Sequence, residues 1–401
     1  MSMIAVLFWL AALCVAHAYF FYPLFMGLLA VWRPRPVSKT KGVPPPTTVL
    51  LAVFNEERTI GRRVEEFAEL LTCAGVPGEI LVVSDGSTDR TAEISRKLAD
   101  TLSRSKLTIR SIELPSNQGK AVALTEGGKV ATGEVIVLAD ARQTWAPDAL
   151  GELLANFSDP SVGAVSGELM IESSPGVLAG VGIYWQFEKW LRQRESRVYS
   201  MVGVTGAICA VRRELFEPIP RGTILDDVYW PLAVAIRGKR VVFDGQARAY
   251  DRLPALLADE FRRKVRTLAG NYQLLNRLPG LLNPFRNPIW LQFVSHKLLR
   301  LIVPWALLFM PVACLILGGP LYSTLLGLQV LGYGLAIGGL IPQVSVRSRL
   351  MSAAASFLVL NVAAWMAFWV WASGQTSRSW RKAAYQASEL GLESNSPVDA
   401  D

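Results

Sequence analysis

Carboxylate and amide side chains follow three short apolar segments of this sequence. Asn55 and Glu56 follow the first segment, Asp85 follows the second, and Asp140 follows a later one. Taken singly, each could cap a helix or form a turn, because Asp and Asn favour both positions. Three such groups together are better explained by a ligand, since neighbouring carboxylates need a cation or hydrogen-bond donors to hold them together. A nucleotide with a metal-bound diphosphate would supply both.

Two adjacent acids, Asp226 and Asp227, precede a predicted helix over Val228–Arg237. Acids at a helix start commonly offset the helix dipole, and the spacing by itself favours that explanation. The alternative is a chemical role, because a carboxylate held near a hydroxyl group can accept its proton. Two cations, Lys120 and Arg142, lie near other predicted strand ends in the sequence. An arginine can contact phosphate through two hydrogen bonds at once.

Alternating strands and helices must position these residues. Short β-branched apolar runs predict strands, and the amphipathic runs between them predict helices. Such an order indicates an α/β fold with a mostly parallel sheet and helices on both faces, whose ligands bind beyond the carboxyl ends of the strands. The predicted strands are Val49–Phe54, Ile80–Ser84, Thr108–Leu114, Val135–Ala139 and Val162–Ile171, and the predicted helices are Ile60–Leu71, Asp89–Leu102, Lys120–Val130 and Pro147–Phe157.

The composition indicates a membrane protein. Of the 401 residues, 51% are hydrophobic and 18% are charged, with a formal net charge of +8 and a mean hydropathy of +0.30. Soluble domains carry roughly 25% charged residues. Met1–Trp32, Leu301–Val346 and Ser352–Ser377 contain no Asp, Glu, Lys or Arg. A span needs about 20 apolar residues, and the middle stretch breaks at Gly318-Gly319-Pro320, so we expect four membrane spans.

Basic residues beside the spans predict the orientation of the chain. Those from Arg33 to Lys41 follow the first span with no acid before Glu56, which places the next segment in the cytoplasm. Arg347 and Arg349 agree with this orientation, whereas the basic residues of the tail beyond residue 377 do not. His296 is expected at the membrane interface.

The order of the motifs resembles that of the family 2 glycosyltransferases, and the flanking spans resemble those of the family's membrane-embedded polysaccharide synthases. The resemblance implies a nucleotide-diphosphate-sugar transferase fold, inversion at the anomeric carbon and a divalent metal, Mg²⁺ or Mn²⁺. It also implies that Asn55, Glu56 and Asp85 belong to the nucleoside site and that Lys120 contacts the diphosphate region. The motifs are Asn55-Glu56-Glu57, Asp85-Gly86-Ser87-Thr88-Asp89, Asn117-Gln118-Gly119-Lys120 and Asp140-Ala141-Arg142.

Arg142 departs from the family pattern. Asp140 stands where the family's D-x-D motif begins, but Arg142 replaces the second carboxylate, which commonly ligates the metal. In one interpretation the metal stays and is held by Asp140, the diphosphate and water. In the other, Arg142 supplies part of the positive charge that stabilises the leaving diphosphate.

The resemblance extends to the acceptor side. Gly203–Arg213 resembles the family's acceptor-side strand, in which small residues such as Gly206 and Ala207 would let a sugar approach the backbone. The second acid of the family's pair deprotonates the acceptor hydroxyl, so Asp227 is the expected general base and Asp226 its supporting carboxylate. Arg266 matches the arginine of the family's Q-x-x-R-W motif, but the tryptophan is missing, which argues against long-chain synthesis.

The implied function is transfer of a sugar from a UDP-sugar to a saccharide or lipid-linked acceptor in extracellular polysaccharide synthesis. The implied location is the cytoplasmic face of the cell inner membrane. One alternative adds a single sugar to a lipid, and another is a transporter with a non-catalytic cytoplasmic domain. The lack of charges in the predicted spans argues against a transporter. Membrane lipid and an export or accessory protein are partners to consider, whereas nucleic acid is not expected, since the basic residues flank the spans.

The expected organisation has six parts. They are an N-terminal transmembrane anchor (1–32), a basic Pro-rich linker (33–47), a cytoplasmic glycosyltransferase domain (48–252), amphipathic interfacial helices (253–290), three C-terminal transmembrane helices (291–375) and a polar tail (376–401).

Overall fold

A computed structural model of the protein describes residues 2–40, 42–172, 179–252, 257–341 and 348–374. The strands are β1 (Thr47–Val53), β2 (Gly78–Ser84), β3 (Leu107–Glu113), β4 (Val135–Ala139), β5 (Thr144–Trp145), β6 (Val162–Glu172), β7 (Cys209–Arg212) and β8 (Arg240–Arg252). The helices are α1 (Met3–Trp32), α2 (Ile60–Cys73), α3 (Thr91–Leu102), α4 (Lys120–Val130), α5 (Ala149–Ala155), α6 (Ala179–Val198), α7 (Asp226–Ile236), α8 (Leu257–Arg277), α9 (Trp290–Leu317), α10 (Gly319–Gly338) and α11 (Arg349–Ala372).

The eight strands form one sheet in the order β3-β2-β1-β4-β7-β6-β8-β5. β1 pairs in parallel with β2 and β4, and β2 pairs in parallel with β3. β7 is antiparallel to both of its neighbours, β4 and β6. The sequences of the central strands are continuous apolar runs, because helices cover the sheet on both faces. The predicted α/β class with a mostly parallel sheet is confirmed.

The register of the central strands brings their carboxyl ends to one edge of the sheet. Val53 of β1 lies opposite Ser84 of β2, and Leu51 of β1 lies opposite Ala139 of β4. The loops that follow these three neighbouring strands are therefore adjacent. The polar residues predicted to follow these strands, Asn55, Glu56, Asp85 and Asp140, lie in these loops.

Two apolar cores lie on opposite faces of the sheet. On one face, α2 and α5 bury side chains such as Phe67 and Leu150 against β1, β2 and β4. On the other face, α4 and α7 bury side chains such as Leu124 and Trp230. The apolar face of α2, which recurs every three or four residues from Ile60, explains why this segment forms an amphipathic helix.

Four helices, α1, α9, α10 and α11, are long and apolar enough to cross a membrane, which agrees with the expected four spans. α9 begins earlier than the charge-free stretch at Leu301, so it contains Lys297 and Arg300, and the expected lack of charges in the spans does not hold at this helix end. Arg300 pairs there with Glu188 of α6. Residues 342–347 and 375–401, which include Arg347 and the predicted tail, lie outside the described residues.

His296 is also part of this helix end. Its side chain is 2% exposed, and its two ring nitrogens lie 2.8 Å from Glu195 and 3.0 Å from Glu188 of α6. Carboxylates from a distant helix therefore hold His296 inside the protein, and its place at the membrane interface stays a prediction.

α8 is amphipathic, as predicted, and lies against the membrane helices. Its Val265, Ala269 and Tyr272 pack with Ala363 and Ala367 of α11. This helix thereby connects the sheet domain to the predicted spans.

Candidate active site

Hydrogen bonds join the loops after β1 and β2. The side-chain oxygen of Asn55 accepts a hydrogen bond from the Thr88 amide at 2.8 Å, and the Asn55 amide donates to the Ser87 hydroxyl at 3.1 Å. Asn55 has φ of 52°, a left-handed conformation in which Asn is enriched over other residues with side chains. Glu56 follows and accepts a hydrogen bond from the Thr59 hydroxyl at 2.8 Å. Asn55 thus fixes the shape of the predicted nucleoside site.

Asp85 lies after β2 and is 3% exposed. Its two carboxylate oxygens accept hydrogen bonds from the Gln118 amide at 2.7 Å and the Gly119 amide at 2.8 Å. Gly119 has φ of 95°, which favours glycine, so this turn needs that residue. Asp85 therefore orients the start of α4, and each oxygen keeps further acceptor capacity for a ligand.

Lys120, the first residue of α4, connects acids from two parts of the chain. Its Nζ lies 2.6 Å from Oδ1 of Asp140 and 3.8 Å from Oδ2 of Asp226. Burial would lower the pKa of Lys120, but the charges of Asp140 and Asp226 outweigh burial and raise the pKa above its ordinary value. The lysine is thus a fixed positive charge between the end of β4 and the start of α7.

Asp227 is the second residue of α7 and is partly buried. Burial, followed by the charge of Asp226, raises the pKa of Asp227 to about 6. The charges of Lys120, Lys297 and Arg192 act in the opposite direction. A carboxylate with a pKa near 6 is largely ionised at neutral pH and is a stronger base than an ordinary aspartate.

The acceptor-side segment differs in part from the predicted strand. β7 begins only at Cys209, and Gly206 and Ala207 lie in the turn before it. A β-carbon on Gly206 would lie 3.5 Å from the β-carbon of Asp227, so this small residue opens the space beside the acid. The Ala207 carbonyl accepts a hydrogen bond from the Trp145 indole at 3.1 Å, which fixes the turn.

A narrow pocket brings several of the predicted residues together. Lys120, Gly206, Asp226 and Asp227 line it, and Asp140 reaches it through its hydrogen bond to Lys120. Asn55, Glu56 and Asp85 lie in the neighbouring loops.

Arg142 is not among the residues that line this pocket. Its Nη2 lies 2.5 Å from Oδ2 of Asp251, near the end of β8, and the side-chain Nε2 of Gln143 donates to the same oxygen at 3.0 Å. Instead, Arg63 of α2 supports the loop, because its Nε donates to the Asp140 carbonyl at 3.1 Å. Arg63 was not among the predicted site residues, although an arginine on the apolar face of a helix is a signal of a specific buried role.

The end of α8 contacts the loop that precedes Asp226. The Gln273 side chain accepts a hydrogen bond from the Ile224 amide at 3.0 Å and donates to the Gly222 carbonyl at 2.9 Å. Gly270 lies close to Leu225, where a β-carbon would come within 2.6 Å of it. Arg266 lies one helical turn before Gly270, so it is on the side of α8 that faces the start of α7.

The described side chains do not complete a metal site without a ligand. Within the described ranges, no three His, Cys, Asp or Glu side chains are grouped so that they could hold one. Asp140 is the acid at the predicted position, with 37% of its side chain exposed. A metal here would have to complete its coordination with ligand and water oxygens, as Mg²⁺ commonly does.

Residues 48–219 match the family model described as Glycosyl transferase family 2. The chain carries a family 2 glycosyltransferase domain. The matched range contains the central strands and the loops with Asn55, Asp85, Lys120 and Asp140, so the resemblance seen in the motifs is confirmed.

Curated relatives of this family 2 domain protein include bacterial synthases. This chain is 25% identical over 285 residues to a poly-beta-1,6-N-acetyl-D-glucosamine synthase of Staphylococcus aureus. The alignment covers 64% of this chain and 65% of the relative. The chain is 23% identical over 234 residues to the enzyme of the same name from Staphylococcus epidermidis, covering 57% of this chain and 55% of the relative. The chain thus spans less than two thirds of these relatives' length.

The fold also occurs among solved structures. A mannosyltransferase, PcManGT from Pyrobaculum calidifontis, covers 89% of this chain and 99% of its own, with a TM-score of 0.63 and 23% identity. This match extends the similarity beyond the family 2 domain to most of the chain's fold.

Proposed function

We propose that the protein is an inverting glycosyltransferase that moves a sugar from a UDP-sugar to a saccharide or lipid-linked acceptor. The observation that carries this proposal is the position of Asp227, an acid whose pKa is raised to about 6, in the same pocket as Lys120. A proton acceptor and a fixed cation in one pocket are what transfer from a nucleotide diphosphate needs.

In the proposed step, Asp227 accepts the proton of an acceptor hydroxyl. The hydroxyl oxygen forms a bond to the anomeric carbon while the bond from that carbon to the diphosphate breaks, and the electron pair of the broken bond leaves with UDP. One displacement inverts the configuration. Lys120 lies where it can stabilise the negative charge that develops on the diphosphate. Burial, followed by the charge of Asp226, keeps the pKa of Asp227 high.

A divalent metal fits this site through Asp140. When bound, the metal would neutralise the charge of the leaving diphosphate. Arg142 is directed to Asp251, so the interpretation in which Asp140 alone represents the D-x-D motif is favoured. The Pyrobaculum mannosyltransferase was solved with GDP-Man and Mn²⁺, which supports testing Mn²⁺ beside Mg²⁺.

The names of the staphylococcal relatives suggest N-acetylglucosamine as the first donor sugar to test and a polysaccharide as the product. The full-length protein, purified in detergent, is incubated with a panel of UDP-sugars, and UDP release is measured with saccharide and lipid-linked acceptors. We expect one UDP-sugar to be turned over and the Asp227→Asn variant to be inactive. Mass spectrometry of the product then separates polymer synthesis from a single addition. Turnover of none of the UDP-sugars would contradict the proposal.

We further propose that the sheet domain lies in the cytoplasm of a cell with its spans in the inner membrane. The basic residues after α1 support this orientation. Ser103 is exposed directly after α3, so Ser103→Cys provides a labelling site on the domain. A membrane-impermeant maleimide should label it only after the cells are permeabilised, whereas labelling in intact cells would place the domain outside.

A further inference from the structure

The helix end that contains His296 is fastened to two other helices. Glu188 and Glu195 of α6 both bind His296, and Glu188 also pairs with Arg300. The Tyr22 hydroxyl of α1 donates to Glu195 at 2.5 Å. These contacts hold α6 against α1 and α9, the two predicted spans, where the spans meet the sheet domain.

Two more cations lie within this arrangement. Arg192 lies four residues after Glu188 and three before Glu195, so the three share one face of α6. Lys297 directly follows His296 on α9. Both side chains belong to partly buried residues, and neither forms a hydrogen bond or an ion pair with any residue that the structure describes. The nearby carboxylates of Glu188 and Glu195 bind His296, Arg300 and Tyr22, and Oε2 of Glu195 has no hydrogen-bond partner among the described residues.

Arg192 and Lys297 are close to the proposed base. Phe293 and Val294, just before Lys297 in α9, pack in the same core as Val228 and Tyr229, which follow Asp227 in α7. The charges of Arg192 and Lys297 both act on Asp227 and oppose the rise of its pKa. The two cations belong to α6 and to the start of the predicted span α9, whereas Asp140 directly follows β4.

An anion is the ligand that this charge arrangement favours. A partly buried cation without a partner is unfavourable, and an anion that binds two of them offsets that loss. Arginine matches phosphate through two hydrogen bonds, and lysine adds a second charge. Because α1 and α9 are predicted spans, a molecule that reaches this position from the membrane can keep a hydrocarbon chain in the bilayer.

We propose that Arg192 and Lys297 bind the phosphate of a lipid-linked acceptor and thereby hold the hydroxyl group of that acceptor near Asp227. This inference rests on the proposed function and narrows its acceptor to a phosphate-bearing lipid.

The test compares two small lipids that differ only in the headgroup. Farnesyl phosphate and farnesol are titrated into the full-length protein in nanodiscs, and binding is followed by tryptophan fluorescence. We expect farnesyl phosphate to bind at least about tenfold more tightly than farnesol. Arg192→Gln and Lys297→Gln should each remove most of this preference, Lys297→Arg should retain it, and Arg197→Gln, at an exposed position of the same helix, should leave it unchanged.

Several results would overturn the inference. Equal binding of the two lipids by the wild type would do so without any variant. Inorganic phosphate that binds as tightly as farnesyl phosphate would indicate a site for free anions. If Lys297→Gln lost affinity for UDP and kept its binding of farnesyl phosphate, Lys297 would belong to the site of the UDP-sugar donor. Because lipid binding is measured without transfer, UDP release from UDP-sugars decides the proposed function separately.

Discussion

The ammonium nitrogen of Lys120 lies 2.6 Å from Oδ1 of Asp140, so the first residue of α4 and the residue after β4 share a hydrogen bond. The same nitrogen lies 3.8 Å from Asp226. Lys120 therefore connects Asp140, in the predicted donor site, to the pair Asp226 and Asp227. A substitution on one side of the pocket changes the electrostatic environment of the other side.

Asp227→Asn should reduce sugar transfer at least about 100-fold, because general-base catalysis contributes that much and the amide cannot accept the proton. UDP affinity should stay within about twofold of the wild type, since the charge of Lys120 remains. Transfer is measured as UDP release and UDP affinity by calorimetry. A variant that keeps most of its turnover would show that another group is the base.

The pH dependence of kcat/KM should report the pKa of Asp227. Since the base acts in its ionised form, activity should fall as the pH drops below about 6. Asp226→Asn removes a negative charge, which lowers the pKa of Asp227 and moves the acidic limb to lower pH. Lys297→Gln removes a positive charge and should move the limb to higher pH. Shifts of the same sign in both variants would be incompatible with this assignment.

Lys120→Met should weaken UDP binding by about tenfold or more, because a charge-assisted hydrogen bond to phosphate is lost. Lys129→Met is the matched control on the same helix, since Lys129 is exposed and pairs only with Glu126, at 2.7 Å, among the described residues. Calorimetric titration with UDP measures both. Equal losses would mean that the lysines act only through overall charge.

Metal removal should stop transfer if Asp140 is the protein ligand. Chelation should abolish activity, and Asp140→Asn should raise the Mg²⁺ or Mn²⁺ concentration needed for half-maximal rate. Arg142→Ala should leave that concentration unchanged and lower the melting temperature, because Arg142 pairs with Asp251. If Arg142→Ala instead increases the metal requirement, Arg142 supplies charge to the diphosphate.

Arg266→Ala should reduce turnover far more than Arg262→Ala. Arg266 lies one turn before Gly270, which approaches the loop preceding Asp226, whereas Arg262 is exposed. An arginine near a diphosphate contributes more than one on a wet surface. The measurement is kcat for both variants. Similar rates would indicate that α8 serves only to attach the domain to the membrane.

The sequence by itself determined the class of fold and the place of the candidate site. β4 and α4 have their predicted ends, because short β-branched runs and amphipathic runs are local signals that need no knowledge of distant residues. The four spans follow from stretches without charges. The alignment of strand ends also followed from sequence, since parallel strands place their carboxyl ends at one edge.

Only the tertiary structure decided which charges meet. Asp85 binds the turn before α4, Arg142 reaches Asp251, and His296 is held by Glu188 and Glu195. These partners are far apart in the chain, and their side chains meet through the packing of the sheet and of α6 against α9. Hydropathy and spacing describe only local neighbours, so the pairing of charges, and with it the raised pKa of Asp227, required the three-dimensional arrangement.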